Sequence, residues 1–304
     1  MEQALGVRTR RKRSRLFLKQ KIIGYAFLAP TIIMFAIFAV VPLVMGFYLA
    51  FAQADLRYVY GMVGFDNFIK ALNYPLFTQS FVNVLVYTAM VVPMSIILSL
   101  AAAVLINSKL KGVKIYRALY YIPSVAGVVA VAYVWSWIFR KDEGILNAIL
   151  GWFSIKPLDW LGSQTYLPMF AVAIVSVWGG LGGNMLMFLA ALKGVSPDIY
   201  EAAEVDGAGA WRKLMSITLP SIAPTMYFIV TMSLIGAFQM FDLVFIMIPE
   251  HAAKYTNTPV RMIYANGFNQ SNGGLGSAMS IILFVVIMVC TFVTQRFMRE
   301  DRTS

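Results

Sequence analysis

One carboxylate, Asp242, lies inside a long apolar run, in the stretch GAFQMFD at 236–242. A carboxylate within a membrane costs roughly 2.5 to 3.5 kcal/mol, so it should face a wet cavity or a polar partner. Gln239 lies three residues earlier on nearly the same helical face, with Phe238 at i−4. Together they offer the hydrogen bonds and the aromatic surface that suit a sugar. The alternatives are that Gln239 and Asp242 hold helices together, or that Asp242 lies near the outer interface.

The sequence holds few other groups that could do chemistry. It has no G-x-x-x-x-G-K-[ST] phosphate-binding loop, so we do not expect this chain to hydrolyse ATP. His251 is the single histidine, which leaves a His-based metal site or catalytic triad with too few members. The single cysteine, Cys290, has no disulfide partner within the chain. We therefore predict a non-catalytic protein with no metal site and no cofactor of its own.

The composition indicates the class of protein in which Asp242 and its neighbours are placed. Of the 304 residues, 60% are hydrophobic and 13% are charged, against about 25% charged in a typical soluble domain. This composition predicts an integral membrane protein. A net charge of +11 is also typical of proteins that bind nucleic acid, but these do not carry such long apolar blocks. We therefore expect no nucleic-acid partner.

Six apolar runs are long enough to cross a bilayer as helices. They lie at about 22–51, 80–106, 118–139, 167–192, 225–248 and 275–296. The sequence thus predicts an all-α polytopic membrane protein with one membrane domain at 22–297. A basic N-terminal tail at 1–21 precedes this domain, and a short tail at 298–304 follows it. With both termini in the cytoplasm, 18 of the 25 Lys and Arg residues lie on the cytoplasmic side, as the positive-inside rule requires.

The fourth run contains a glycine cluster, GGLGGN at 179–184. Glycine lowers helix stability, so four glycines at this depth need a physical reason. Either another helix approaches closely, or the helix opens to line a cavity.

A polar segment at 196–224 interrupts the apolar runs. Ser196 is a good N-cap, and Pro197 suits the first helical turn, so we predict a short helix at about 197–206. Gly207 and Gly209 suit its C-terminal break. A second helix is predicted at 210–219, closed by Pro220. On composition alone, the segment is equally typical of an amphipathic helix on the membrane surface.

The string Glu201-Ala202-Ala203, followed by Asp206-Gly207-Ala208 and by Ile217, Leu219 and Pro220, resembles the EAA loop of ABC importer permeases. In that family, this cytoplasmic loop docks into a groove on the ATPase subunit. The resemblance implies coupling helices at 197–220, in which Glu201 bridges to a basic group on the ATPase. It assigns the coupling role to Tyr200, Glu201, Ala202, Ala203, Asp206, Gly207, Ala208, Trp211 and Leu214. Leu214 departs from the family, which often has an aromatic residue there.

Most of the chain also resembles the carbohydrate subgroup of these permeases, through stretches such as Leu28-Ala29-Pro30 and Phe241-Asp242. The stretch at 63–68 resembles a recurrent external motif of sugar permeases; it is also typical of an interfacial loop held by aromatic residues. The resemblance places substrate contacts in the fourth and fifth spans, at Gly180, Gly183, Asn184, Phe238, Gln239 and Asp242. At Gly183 the maltose-specific relative has a bulky aromatic residue, which implies a different or larger ligand here.

The resemblance further implies a permease subunit in a bacterial inner membrane. A second homologous permease would form a heterodimer with it, and two ATP-binding subunits would hold ATP and Mg²⁺. An extracytoplasmic sugar-binding protein would deliver the substrate. One departure is 248–251, where Ile-Pro-Glu-His replaces a usual glycine-glycine-proline turn that bears on the contact with the binding protein. Two alternatives remain: an ion-coupled secondary transporter of a small polar solute, and an importer of glycerol-phosphate.

Overall fold

The structure is a computed structural model that describes residue 21, residues 23–107 and residues 112–300. Of the predicted basic tail at 1–21, residues 1–20 lie outside the described part of the chain. Residues 301–304 of the predicted C-terminal tail also lie outside it.

Helices dominate the described residues, as the composition predicts. The long ones are α1 (Ile23–Ala50), α3 (Pro75–Asn107), α7 (Leu167–Lys193) and α12 (Gly273–Glu300). A further long helix, α9, is continuous through Ala210–Lys213, a π-helical turn at Leu214–Thr218, and Leu219–Phe238. The shorter ones are α2 (Asp66–Leu72), α4 (Val113–Val125), α5 (Val128–Ile138), α6 (Ile145–Trp152), α8 (Pro197–Val205), α10 (Asp242–Met247) and α11 (Pro259–Tyr264). A hairpin of β1 (Ala52–Ala54) and β2 (Val59–Met62) follows α1.

Five of the described helices are long and apolar enough to cross a membrane, and α4 with α5 makes a sixth candidate span. The chain is therefore an all-α membrane protein. The span predicted at 118–139 is not one straight helix, because α4 and α5 meet there at 98°. Pro123 lies in the last turn of α4, and Ala126 and Gly127 are extended. A proline removes a backbone donor and crowds the preceding turn, which weakens the helix at this point.

The fifth predicted span differs in two ways from the structure. Pro220 does not close a helix, because the π-helical turn at Leu214–Thr218 precedes it and α9 continues to Phe238. The wider π turn leaves room for the pyrrolidine ring and tolerates the missing N–H. The predicted helix at 225–248 is then broken at 239–241, and α10 begins at Asp242.

The pair α3 and α7 forms the centre of the bundle. One buried cluster joins α3, α7 and α9 through residues such as Ala103, Phe188 and Ile222. Helix α4 packs on α7, and the two segments that follow the breaks, α5 and α10, pack on each other. By contrast, no residue in the apolar window of α1 is buried, and the helix contacts the bundle mainly at α12. α1 is thus a peripheral helix.

Candidate functional site

The polar segment folds into a helical module at one end of the bundle, made of α8 and the start of α9. The Ser196 hydroxyl accepts a hydrogen bond from the Asp198 N–H at 3.3 Å, and Pro197 occupies the first turn. These are the N-terminal features that the sequence predicts. The helix ends at Val205, one residue before its predicted end.

Gly207 ends α8 in the way that its sequence position predicts. Its φ is +75°, a left-handed conformation that disfavours a residue with a Cβ. The Gly207 N–H donates to the Glu204 carbonyl at 3.0 Å, and the Ala208 N–H donates to the Ala203 carbonyl at 2.8 Å. These two bonds make a Schellman motif. Gly209 has an ordinary φ of −67° and acts as the N-cap of α9.

Two side-chain contacts hold α8 against α9. The hydroxyls of Tyr200 and Thr218 lie 3.0 Å apart, and the Lys213 ammonium donates to the Glu204 carboxylate at 2.6 Å. The hydrogen bond and the charge of Lys213 lower the pKa of Glu204 below its usual value. These two contacts join α8 to the start of α9.

The outer face of this module combines one carboxylate with exposed apolar side chains. Glu201 is exposed and has no partner among the described side chains, and Val205, one turn later, is 89% exposed. Ala202 and Asp206 are also exposed, and the Trp211 side chain is 71% exposed. Exposed apolar groups around a charge are typical of a protein-binding surface. The sequence prediction did not include Val205, although its spacing from Glu201 places both on one helical face.

Other predicted coupling residues are half-buried or line a groove beside that face, and Trp211 belongs to both the face and the groove. Ala203 and Ala208 are half-buried, and Tyr200, Trp211 and Leu214 line a groove of about 690 Å³. Asn107, at the end of α3, contributes to the same groove. Leu214 is thus part of the groove wall, and the module lies at the Asn107 end of α3.

The second candidate site is a cavity of about 420 Å³ within the bundle. It lies between the bend that joins α4 to α5 and the break that separates α9 from α10, with the middle of α7 as a third wall. The lining residues are Tyr87, Pro123, Ser124, Ala126, Val128, Val131, Val175, Ser176, Gly179, Gly180, Gly236, Gln239, Met240, Phe241, Asp242 and Leu243.

Polar groups in this cavity come from four helices and the break. The Tyr87 hydroxyl donates to the Ser176 hydroxyl at 2.6 Å, and the Ser124 hydroxyl donates to the Gly179 carbonyl at 2.8 Å. Gln239 and Asp242 are both exposed to the cavity. Hydroxyl, amide and carboxylate groups beside the Phe241 ring can bind a polar, uncharged ligand through hydrogen bonds.

Not all of the predicted substrate contacts reach the cavity. Of these residues, Gly180, Gln239 and Asp242 line it. The interpretation that Phe238 shares their face is wrong, because the helix ends there. Phe238 is 1% exposed and belongs to a buried cluster with Val84 and Leu283. Sequence spacing missed Tyr87 and Ser176, which lie far apart along the chain and meet only through the packing of α3 on α7.

The glycine cluster allows a close approach and also borders the cavity, but α7 does not open there, because it stays helical from Leu167 to Lys193. A Cβ on Gly182 would collide with the Tyr120 carbonyl and lie 2.7 Å from the Tyr121 Cα. Gly182 therefore allows α7 to approach α4 closely. Gly179 and Gly180 line the cavity, whereas Gly183 and Asn184 lie outside its lining.

The sequence and fold were compared with known proteins. The family described as binding-protein-dependent transport system inner membrane component matches residues 68–300. The arabinooligosaccharides transport system permease protein AraP of Halalkalibacterium halodurans is 31% identical, over 96% of this chain and 95% of that protein. The trehalose/maltose transport system permease protein MalF of Thermococcus litoralis is 29% identical, over 94% of this chain and 98% of that protein.

A solved structure shares the fold. It is a bacterial alginate ABC transporter in complex with an alginate pentasaccharide-bound periplasmic protein. The TM-score is 0.80 at 25% identity, and the match covers 93% of this chain and 96% of that chain.

Proposed function

Because this chain belongs to the family of binding-protein-dependent transport system inner membrane components, we propose that it is the permease subunit of an ATP-driven ABC importer for a carbohydrate. The observation that carries the proposal is the continuity of α9. This helix begins in the exposed module at Ala210 and ends at Phe238, beside the cavity. At about 1.5 Å per residue it extends roughly 40 Å, so it connects a docking surface directly to a ligand cavity.

The exposed module is the surface that contacts the ATPase. Glu201 bridges to a basic group on the partner, and Trp211 packs in or beside its groove. When ATP closes the ATPase dimer, the module moves with it. The contacts of Tyr200 with Thr218 and of Glu204 with Lys213 pass this motion to α9. The cavity then alternates between outward-open and inward-open states.

The cavity binds the sugar. Asp242, Gln239 and the hydroxyls of Tyr87, Ser124 and Ser176 supply hydrogen bonds, and Phe241 supplies an apolar face. Gly180 leaves space for the ligand, and Gly183 and Asn184 follow on the same helix, outside the lining of the cavity. No Lys or Arg is among the described lining residues, so an uncharged sugar suits the cavity better than glycerol-phosphate.

The cavity needs a second wall. Gln239 and Asp242 are exposed in this chain at a depth where lipid would otherwise surround them, and an exposed carboxylate in lipid is unfavourable. A second, homologous permease provides this wall in a heterodimer. Two ATP-binding subunits hold ATP and Mg²⁺ in the cytoplasm, where both termini of this chain lie, and an extracytoplasmic binding protein delivers the sugar at the outer face.

The first experiment is purification of the chain from its native membrane in mild detergent, with the accompanying subunits identified by mass spectrometry. We expect a second permease, a P-loop ATPase and a sugar-binding protein. Recovery of the chain alone, from a preparation that keeps a known ABC importer intact, would contradict the proposal.

Uptake into vesicles distinguishes the importer from an ion-coupled transporter. Sugar uptake into right-side-out vesicles, with the binding protein outside, should require ATP loaded inside them and should persist when proton and sodium gradients are collapsed. Uptake that follows the ion gradient and ignores ATP would favour the secondary transporter. Asp242→Asn keeps the size of the side chain and should lower sugar uptake more than it lowers assembly with the ATPase.

The role of Glu201 can be tested separately. Glu201→Lys should abolish most of the transport-coupled ATPase activity of the reconstituted complex. Asp142→Lys is a matched control, since it makes the same charge change at another exposed position, in the loop after α5. Equal activity in both variants would exclude the proposed bridge.

A further inference from the structure

A row of four aromatic rings extends from the cavity along α10 and α11. Phe241 lines the cavity, and the centroid of its ring lies 4.9 Å from that of Phe245 and 5.3 Å from that of Tyr264. The rings of Phe245 and Tyr264 are 5.3 Å apart, and the ring of Phe268 follows that of Tyr264 at 5.6 Å. These four rings, which we call the aromatic track, form one continuous apolar surface that begins in the cavity.

The aromatic track leads away from the α8–α9 module. Helix α9 begins in that module and ends beside the cavity, and α10 follows the break. Two turns into α3, the Asn83 amide donates to the carbonyls of Lys254 and Asn257, between α10 and α11, at 3.1 Å each. The other end of α3, at Asn107, lies at the module. The track therefore runs toward the opposite end of the bundle, where the proposed binding protein delivers the sugar.

Packing fixes the far end of the track. A Cβ on Gly276 would lie 2.7 Å from the Gly267 Cα, so the end of α11 packs backbone to backbone on the first turn of α12. The Arg261 guanidinium donates to the Ile248 carbonyl at 3.4 Å, which joins α11 to the end of α10. Phe268, next to Gly267, is thus held beside the first turn of the last span.

The exposed face of α10 indicates what lies in front of the track. Asp242 and Phe245 are three residues apart on one face of α10, and both are exposed, whereas Val244 and Met247 on the other face are buried in the core. A carboxylate at membrane depth requires water or a polar partner. Because Phe245 shares the face of Asp242, the space in front of Phe245 continues the aqueous cavity.

We propose that the aromatic track is a sugar-binding path between the outer face and the cavity. An aromatic ring beside water can stack on the flatter, apolar face of a sugar while the sugar hydroxyls stay hydrated. The rings of Phe245 and Phe268 are 46% and 59% exposed, so part of each is free to do this in the chain. A pathway conducts best when its sites are several and weak, and neighbouring rings about 5 Å apart supply such sites.

This inference rests on the proposed function and names the route by which the imported sugar reaches Asp242. The ligand class is a neutral saccharide, because stacking on a ring recognises the apolar face that sugars share. The track supplies no charge, and the specific hydrogen bonds are formed only in the cavity.

Replacement of single rings tests the track in the reconstituted complex. The chain, with the subunits that purify with it, is placed in liposomes that contain ATP. The probe is the oligosaccharide released from the copurified binding protein, identified by mass spectrometry, labelled with tritium and supplied outside with that binding protein. Phe268→Leu removes the flat ring but keeps an apolar side chain, and Phe268→Trp keeps a ring. Phe284→Leu is the matched control, because Phe284 is 52% exposed on α12 and lies outside the track.

We expect Phe268→Leu to lower the initial rate of uptake several-fold, and Phe268→Trp and Phe284→Leu to stay near the wild type. A rate in Phe268→Leu equal to that of the wild type would overturn the proposal, and so would an equal loss in Phe268→Trp. Uptake by the wild type that ignores ATP would instead contradict the proposed function.

Thiol labelling tests the path without any sugar. In a Cys290→Ala background, Phe245→Cys is treated from outside with sulfonatoethyl methanethiosulfonate, a charged reagent that does not cross the bilayer, with and without ATP and vanadate. Val244→Cys is the matched control on the buried face of the same helix. We expect Phe245→Cys to react several-fold faster than Val244→Cys in at least one of the two conditions. Equal, slow reaction in both would mean that lipid or another protein covers the ring, and it would overturn the track even if ATP drives import.

Discussion

Gly182 provides the sharpest test of how α7 packs on α4. A Cβ at this position would lie 2.7 Å from the Tyr121 Cα and 2.8 Å from the Ser124 Oγ, and it would collide with the Tyr120 carbonyl. Two of these neighbours are backbone atoms, which cannot rotate away. Gly182→Ala must therefore move α4 relative to α7, close to the bend that forms one wall of the cavity.

The neighbouring residue Gly183 supplies a matched control. A Cβ there meets no atom within 4 Å, and it lies on the same helix. Both substitutions gain the same helix propensity, about 1 kcal/mol, so this contribution cancels in their difference. What remains is the cost of overpacking at Gly182, which is about 1 to 3 kcal/mol. At about 2 °C per kcal/mol for a chain of this size, the two variants should differ in thermal midpoint by roughly 4 °C.

The assay is thermal unfolding of each purified variant in the same detergent, at one scan rate, followed by intrinsic fluorescence. Gly182→Ala should unfold at a lower temperature than Gly183→Ala. Equal midpoints would show that α4 and α7 separate without cost, and the close approach at Gly182 would then have no structural importance.

Substitutions at three further positions test the other contacts. Gly207→Ala should destabilise the protein by about 1 to 2 kcal/mol, because a Cβ disfavours a φ of +75°, and thermal unfolding measures it. Lys213 lowers the pKa of Glu204, so their contact stabilises the module above the unfolded pKa of Glu, near pH 4.3, and is lost as the pH falls through the lower folded pKa. Protease cleavage of the module should rise over that acidic range in the wild type and change less in Lys213→Met; identical profiles would contradict this. Asn67→Ala should cost about 1 to 3 kcal/mol by removing the donor to two backbone carbonyls. Asn67→Asp, which lacks that donor, should not restore the thermal midpoint, and a restored midpoint would argue against the role of the amide.

Local sequence signals predicted the helical module well. The N-cap at Ser196 and the left-handed glycine at Gly207 depend on residues within a few positions of each other, so the sequence contains the whole cause. The apolar runs likewise predicted an all-α membrane protein. These features follow from local helix propensity and from the thickness of the bilayer's hydrocarbon core, which sets the length of a spanning helix.

Features that depend on packing were not predictable in the same way. Pro220 predicts a helix end, but a π-helical turn precedes it and α9 remains continuous. The apolar run at 118–139 predicts one span with no sign of its shape, although Pro123 precedes a bend of 98° within it. The sequence also placed Phe238 with Asp242, because helical spacing assumes a helix that does not break at 239–241. A proline signals that a helix is weakened, but the surrounding helices decide whether it ends, bends or continues.

The two breaks together support the proposal that a polar substrate crosses the membrane at this cavity. A backbone N–H or C=O without a partner costs several kcal/mol in hydrocarbon, so non-helical backbone at membrane depth requires protein or water around it. Ala126 lies at one break and Gln239 at the other, and both line the same cavity. The segments beyond them, α5 and α10, pack on each other and hold the breaks side by side. Because the polar backbone of two helices faces one space, that space is already suited to water, and a sugar can replace the water through the same hydrogen-bonding groups.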